Sequence, residues 1–538
     1  MTWHVVWVLL GKAALMFAVA GVLALAWLVP HRGFHLVRRP AGRALRHPRL
    51  AGLRRRAPAL VAFAERHAHA ERRSWLRMTL GALCFAGGVT WFVHLLRGVL
   101  ADGKVVTADR CLHNTVAAFD SAALTHFYSV ASSLASVAFA GPLVLGLAAV
   151  LWIAGRRRES LGLGLALIGA VALTNLLKAL IARPRPLEAQ ALFRDSSFPS
   201  GHTLTGAAVY GFLVYLVLRD EPRRFWHWLL AAPLLVLIVS IPLSRIYLGV
   251  HWPYDTVASL ALAGAWLAIL VTLFKYPPLE HRLAPAAAPA SQAPPPPRWL
   301  PGALAGVVLA AAAWGAVLAA WKPQPKVAPP PAVPRPLALA DLLAGYPPGL
   351  PKLSQDAVGG PMEPVSLILV GDAAQIVGAF ERAGWQLAQP PSVRGLAREL
   401  WAVAKNRPDP RGPATPAYFG SQPQDLTFEK PGEASGSIRR RHHTRLWQTG
   451  LCVAPRCTPV WVATASYDAA VKLVAKPYLL THRIDPRVDL ERDLIAGDLR
   501  RAGVRELAVL TVTGPLTGHN AGGDSFVTEG RARLLVVP

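Results

Sequence analysis

Acidic side chains are scarce in this 538-residue chain: 31 Asp and Glu stand against 57 Lys and Arg, for a formal net charge of +26. Charge of either sign is thin, at 16% of residues, while 53% are hydrophobic. That balance excludes a single soluble domain and matches a membrane protein. Cysteine is short as well, with four residues. Cys84 falls in an apolar run and Cys111 in a polar loop. Cys452 and Cys457 are near enough to bridge in an oxidising compartment, but so short a loop gains little entropy, and their pairing stays open. No basic residue precedes the first apolar stretch, which argues for an uncleaved anchor over a cleaved signal peptide.

What is abundant is long apolar sequence. About 20 apolar residues cross a bilayer core, and eight runs qualify: Trp3–Val29, Met78–Leu100, Ser129–Ala154, Leu161–Ala182, Thr203–Leu218, Trp228–Pro242, Thr256–Phe274 and Leu300–Trp321. They predict a polytopic α-helical membrane protein. The segment His31–Arg77 holds thirteen arginines, no lysine, no aspartate and two glutamates. By the positive-inside rule it faces the cytoplasm, and alternation puts Arg156–Arg158 and Arg219–Arg224 on that side too. The N-terminus and the chain beyond Trp321 then lie outside. So basic a loop beside a membrane suits anionic headgroups rather than nucleic acid.

Three short segments stand out at the outer ends of these runs: Lys178-Ala-Leu-Ile-Ala-Arg-Pro-Arg185-Pro186, Pro199-Ser-Gly-His202, and Ser244-Arg245 followed by His251 and Asp255. Lys178, Arg185 and Arg245 supply the positive charge that phosphoryl transfer needs around its equatorial oxygens. Ser200 and the backbone near Gly201 add neutral donors, because glycine lets the main chain approach an anion. His251 and Asp255 are four residues apart, one helical turn, so the carboxylate can hold the imidazole tautomer. One histidine can attack phosphorus while His202 protonates the leaving oxygen. Taken singly, the cations read as juxtamembrane anchors; taken with two histidines and Pro-Ser-Gly, they read as a phosphate site.

The three segments resemble the type 2 phosphatidic acid phosphatase family, whose pattern K-x6-R-P, P-S-G-H, S-R-x5-H-x3-D is filled here at every fixed position. The resemblance spans roughly residues 76 to 275. It implies a bundle of six of the eight helices, His251 as phosphohistidine nucleophile, Asp255 as its partner and His202 as general acid. Lys178, Arg185, Ser200, Gly201 and Arg245 would bind phosphate, with no metal and no cofactor. Arg183-Pro184 is a second Arg-Pro pair, but only Arg185 fits the spacing. Segment Ala101–Tyr128 resembles the helix or hairpin that covers one side of such sites; its Asp102, Asp109 and Asp120 read as solvated.

Proline-rich linkers, Ala284–Arg298 and Pro323–Pro336, bracket the last span and act as spacers. Beyond them the composition is that of a soluble α/β or α+β domain. Strands are expected at Val365–Gly371, Val460–Ala465 and Glu506–Val512, with helices at Ala374–Ala383 and Asp489–Ala502. This part resembles the C-terminal domain of the LssY family through Leu-Val-Gly371-Asp372, Ala383-Gly-Trp385, Arg441-His-His-Thr-Arg445-Leu-Trp447 and Thr481-His482-Arg-Ile-Asp485 with Asp489-Leu-Glu491-Arg-Asp493. The resemblance implies no activity for it. His442, His443, His482 and the four acids offer metal-ligand types at no zinc spacing, and acids on a helix are usually a solvated face.

The expected organisation is a first span and basic loop over 1–75, a lipid-phosphatase domain over 76–276, linkers flanking one span over 277–336, and a soluble domain over 337–538. The expected activity is hydrolysis of a lipid phosphomonoester or pyrophosphate (of undecaprenyl pyrophosphate, phosphatidic acid or phosphatidylglycerol phosphate type) at the outer face of a bacterial inner membrane. Lipid substrate and membrane lipids are the partners; oligomeric state is open. Two alternatives remain: a lipid phosphotransferase, and an accessory protein that binds lipid phosphate without turnover.

Overall fold

Apolar runs of this length become helices because a backbone inside lipid must satisfy its N–H and C=O groups within its own segment. The computed structural model describes residues 72–101, 103–117, 121–219, 225–274, 297–321, 326–327, 333–389, 416–432, 440–473 and 480–538, with side chains omitted for 72–78 and 470–482. The expected span Trp3–Val29, most of the basic loop, Asp102, Asp120 and most of both linkers lie outside the described residues.

The helices before the soluble domain are α1 (Arg72–Leu100), α2 (Lys104–Ala117), α3 (Ala122–Leu134), α4 (Val137–Ile153), α5 (Arg157–Ile181), α6 (Leu187–Gln190), α7 (Gly201–Leu218), α8 (Phe225–Tyr247), α9 (Pro253–Phe274) and α10 (Leu300–Trp321). The chain divides into two compact units, one over 13–97 and 121–327, the other including 98–120 and 328–538. In the first, Thr79–Leu100, α5, α7, α8, α9 and α10 are each long and apolar enough to cross a membrane. Helices α3 and α4, bent by 49° at their junction, are together long and apolar enough for one further segment, a broken span or a re-entrant loop. Seven of the eight expected runs therefore fall on such helices, and the eighth is the undescribed first run.

Helix α7 is the centre of this bundle. Half of its most apolar window is buried, against 11% for α1 and α10, and it packs on α5, α8 and α9. Small residues permit the approach: a Cβ on Gly169 of α5 would come within 2.2 Å of the Trp266 ring of α9. Large apolar side chains such as Leu145, Ile168, Leu180, Leu229 and Leu309 stay exposed on the flanks, as a lipid-facing surface requires. Alternation of the helices sets two distinct ends. At one, Glu159 joins Arg156 at 3.0 Å and Arg219 at 2.6 Å. At the other, the C-termini of α5 and α8 meet the N-termini of α7 and α9.

The second unit is built on a sheet whose core strands are β1 (Pro361–Val370), β2 (Leu426–Pro431), β3 (Arg441–Val453), β4 (Thr458–Leu473), β5 (Arg505–Thr511) and β6 (Arg531–Val536). Their spatial order is β2-β3-β4-β1-β6-β5, antiparallel except for β1 beside β6. The period-2 pattern divides β1 cleanly. Leu367 and Leu369 join one core with helices α11 (Ala373–Arg382) and α12 (Val488–Arg501), while Ile368 and Val370 join a second core on the opposite face. The expected strands and helices of this unit are all present, with β1 and β4 longer than the sequence marked and β5 of the expected length.

Two expectations change. Helix α2 packs within this second unit: Thr115 Oγ1 lies 2.8 Å from the Tyr418 hydroxyl, and Asn114 Nδ2 donates to the Ser421 carbonyl at 3.0 Å. Asp109, expected in solvent, is fully buried on that helix; a short polar stretch read without its partner surface looks like a loop. On α12, Glu491 and Asp498 are also buried, because basic and aromatic partners from other strands reach them.

Cys452 and Cys457 form a disulfide across the β3–β4 hairpin, with Cα atoms 4.6 Å apart. The chain-entropy relation for so small a loop gives about 2 kcal/mol. Replacing both cysteines by serine is expected to lower the unfolding free energy of this unit by up to about that amount, read as a shifted urea midpoint. An unchanged midpoint would mean that the bridge does not form in the protein.

Candidate active site

Every sequence-nominated residue lies at the end of the bundle where α5, α7, α8 and α9 meet. Helix α5 stops at Ala182, which takes a left-handed conformation (φ 49°) and donates its N–H to the Lys178 carbonyl at 3.1 Å. Pro184 then forbids helix and keeps the chain extended. Contacts fix this strand: Trp252 Nε1 donates to the Pro184 carbonyl at 2.9 Å and Ser197 N to the Arg183 carbonyl at 2.8 Å. As a result Arg183 and Arg185 both turn inward, and both are buried.

Their partners differ. Arg185 Nη1 donates to the Val250 carbonyl at 2.7 Å and lies 3.2 Å from His251 Nε2. Its other edge, Nε and Nη2, holds Asp195 Oδ1 at 3.2 and 2.9 Å. Lys178, in the last turn of α5, bonds Asp195 Oδ2. Arg183 Nη1 pairs instead with Asp255 Oδ1 at 2.6 Å. The two arginines therefore have different partners, and the spacing gives Arg183 no role.

Ser200 is the N-cap of α7, its hydroxyl accepting from Thr203 N at 3.5 Å and Thr203 Oγ1 at 3.0 Å. Its own N–H donates to Ser259 Oγ at 2.8 Å. Gly201 follows in the first turn, where a Cβ would come within 3.0 Å of Thr174. His202 is half-buried there, within electrostatic reach of Arg245, His251, Lys178 and Arg185. Arg245, near the end of α8, is fully buried; Nη1 donates to Ser132 Oγ at 2.5 Å, and Nε has no hydrogen-bond partner among the described residues.

The loop after α8 carries His251. Its Gly249 sits at φ 74° with the Val327 carbonyl only 2.8 Å from where a Cβ would be, so both conformation and space call for glycine. Val327 N donates to the Leu248 carbonyl at 3.0 Å and pins the loop. His251 Nδ1 is 3.5 Å from Asp255 Oδ2 and 3.4 Å from Ser197 Oγ, and Ser197 Oγ bonds the same carboxylate oxygen. With Nδ1 toward these acceptors and Nε2 accepting from Arg185, the network assigns the proton to Nδ1. Burial, opposed by Asp255 and reinforced by Arg185 and Arg245, lowers the His251 pKa to about 3. The imidazole is neutral at pH 7, with its Nε2 lone pair turned to the cations.

Arg183, Ser197, Ser132 and Asp195 were not nominated. The doubled Arg-Pro and the Asp195-Ser-Ser stretch before the Pro-Ser-Gly turn were the only available signals. In the soluble unit, the candidate ligands are taken up by cations. Asp485 pairs with Arg487, Asp489 with Arg492, Asp493 with Arg492 and Arg533, and Glu491 with His442 at 2.9 Å. The His482 side chain lies outside the described residues. Ser466 Oγ is 2.7 Å from His443 Nε2, whose Nδ1 is 3.2 Å from Asp468 Oδ1. This is the order of a nucleophile relay, but Ser466 is sealed from solvent, and the set ties β3 to β4.

Comparison with known proteins agrees with this division. Phosphatidylglycerophosphatase B of Bacillus subtilis is 29% identical over 189 residues, 34% of this chain and 91% of that protein. An undecaprenyl-diphosphatase of Sulfolobus acidocaldarius is 38% identical over 79 residues, 14% of this chain and 32% of that protein. The crystal structure of a transmembrane PAP2 type phosphatidylglycerolphosphate phosphatase from Bacillus subtilis is 23% identical and covers 35% of this chain and 94% of that one. Its TM-score of 0.33 is too low to bear on the fold. Residues 159–278 match the PAP2 superfamily and residues 348–532 match the LssY C-terminus, so the chain joins a PAP2 superfamily segment to an LssY C-terminus segment.

Proposed function

We propose that this chain is an integral-membrane lipid phosphatase that works through a phosphohistidine on His251. The observation that carries the reading is the approach of Arg185 to His251 Nε2 at 3.2 Å, with Asp255 and Ser197 behind Nδ1. A phosphoryl group held by Lys178, Arg185, Arg245 and the donors around Ser200 and Gly201 lies against the imidazole lone pair. Nε2 forms a bond to phosphorus as the ester or anhydride P–O bond breaks. His202 gives a proton to the leaving oxygen, and Asp255 stabilises the imidazolium that results. Water then cleaves the N–P bond and returns His251.

Names of the relatives support a phosphatidylglycerol phosphate or an isoprenoid diphosphate as substrate. The Cys452–Cys457 disulfide supports an oxidising compartment for the soluble domain. With the arginine-rich loop inside, that agrees with a catalytic end on the outer face of a bacterial inner membrane. In this reading the phosphatase domain is 76–276 apart from α2, and the soluble domain, 337–538, follows the span 300–321 in the chain.

Detergent-purified protein is expected to release phosphate from a panel of lipid phosphates with EDTA present, and His251→Ala to release none. Activity that EDTA abolishes, or that survives in His251→Ala, would sink the mechanism. Arg183→Ala strips the buried Asp255 of its counterion, a change that costs about 3–5 kcal/mol when a buried pair is broken; at least a hundredfold loss of kcat/KM is expected. Retention of activity in that variant would make Ser197 and Trp252 sufficient to hold the carboxylate.

The low His251 pKa makes a pH prediction. Its neutral form persists as pH falls from 7 to 5, so the acid limb of kcat/KM, corrected for substrate ionisation, is not set by this nucleophile near the ordinary imidazole value. Loss of phosphoenzyme formation in single-turnover trapping between pH 7 and 6 would contradict the buried, neutral ring.

A further inference from the structure

Asp195 occupies the binding edges of the site. Its two carboxylate oxygens take Lys178 Nζ and the Nε and Nη2 edge of Arg185. Arg185 has no second edge to offer, because Nη1 is committed to the Val250 carbonyl and His251. The edge that a phosphate would grip in bidentate fashion is therefore the edge that Asp195 already holds. Exposure separates the partners: the Arg185 and Lys178 side chains are 4% and 14% accessible, the Asp195 side chain 53%. The carboxylate lies on the solvent side of the buried cations, on the loop between α6 and the N-cap of α7.

Resting on the phosphatase reading above, we propose that Asp195 is a resident counterion that fills the phosphate seat between turnovers and competes with phosphate for Lys178 and Arg185. A buried and a half-buried cation side by side without an anion are costly, and Asp195 removes that cost in the empty site. A phosphate monoester dianion carries more charge and more acceptor oxygens, so it displaces the carboxylate. After hydrolysis the carboxylate returns and helps expel inorganic phosphate. Burial works to raise the Asp195 pKa, but Lys178 and Arg185 outweigh it and hold the carboxyl below its ordinary value. The group stays charged across the neutral range, and arrival of an anion opens the seat.

Binding of inorganic phosphate to the detergent-purified full chain, measured by calorimetry, tests this directly. Asp195→Asn keeps the shape and loses the charge. It is expected to bind phosphate at least tenfold more tightly than the parent, and Asp195→Glu to stay within about threefold of it. A through-space charge effect would fade at about 0.5 M salt, where the Debye length is about 4 Å; contact competition leaves the gain largely intact. In turnover, Asp195→Asn should show a lower KM and a lower inhibition constant for phosphate, with no rise in kcat. Unchanged or weaker phosphate binding in Asp195→Asn, or a gain that salt erases, would overturn the proposal and leave Asp195 as a support for the cations. Binding is read without turnover, so a parent that binds phosphate but releases none from lipid would count against the phosphatase reading alone.

Discussion

Positive charge buried at one end of an apolar bundle is the constraint on which the site depends. Arg183, Arg185 and Arg245 are all buried there, with Lys178 beside them. Water cannot solvate them fully, and each must find an anion or a dipole nearby. The chain answers with few acids: Asp255 for Arg183, Asp195 for Arg185 and Lys178, and the Ser132 hydroxyl for Arg245. Of the two carboxylates, only Asp255 is sealed within the protein. Asp255 is fully buried, whereas Asp195 is half exposed and Arg245 keeps an Nε without a partner among the described residues. Charge is thus balanced firmly behind His251 and loosely in front of it, which is the arrangement a transferable anion needs.

The same constraint explains the local backbone. The cluster draws its groups from four helices, and each arrives at a helix end where the backbone can turn. Ala182 and Pro184 end α5, Ser200 caps α7, and Gly249 lets the chain reverse between α8 and α9. The N-terminal dipoles of α7 and α9 add partial positive charge at the same end. Asp255 uses the second of these: its Oδ2 accepts the Trp252 N–H at 3.1 Å while it faces His251.

Much of this arrangement was legible in the sequence, because binding and transferring a phosphate, as proposed here, calls on few residue types. Lys178, Arg185, the Pro-Ser-Gly-His turn, Arg245, His251 and Asp255 come together as their spacing implied. The apolar runs gave the helices for the same reason: lipid leaves the backbone little choice. What escaped notice is what depends on pairing across long stretches of chain. Arg183 and Asp255 are 72 residues apart, and Ser132 and Arg245 are 113 apart. No local pattern announces that one arginine of Arg-Pro-Arg-Pro belongs to the carboxylate and the other to the imidazole. The burial of Asp109 on helix α2 was hidden in the same way, since that helix is matched by residues some 300 positions later.

The soluble unit follows a different logic. Its alternating strands fix two cores, and its acids face basic partners whose charge they cancel, as in the Arg441 contacts with Glu429 and Asp468 at 2.8 and 3.1 Å. A buried carboxylate paired with a buried arginine has lost the freedom that ligand exchange requires. In the membrane unit Asp255 has been fixed by Arg183 in this way, and Asp195 has not, because its outer side still meets water. Placement relative to solvent, more than residue type, is what separates an acid that holds a fold together from one that can give up its place to a substrate.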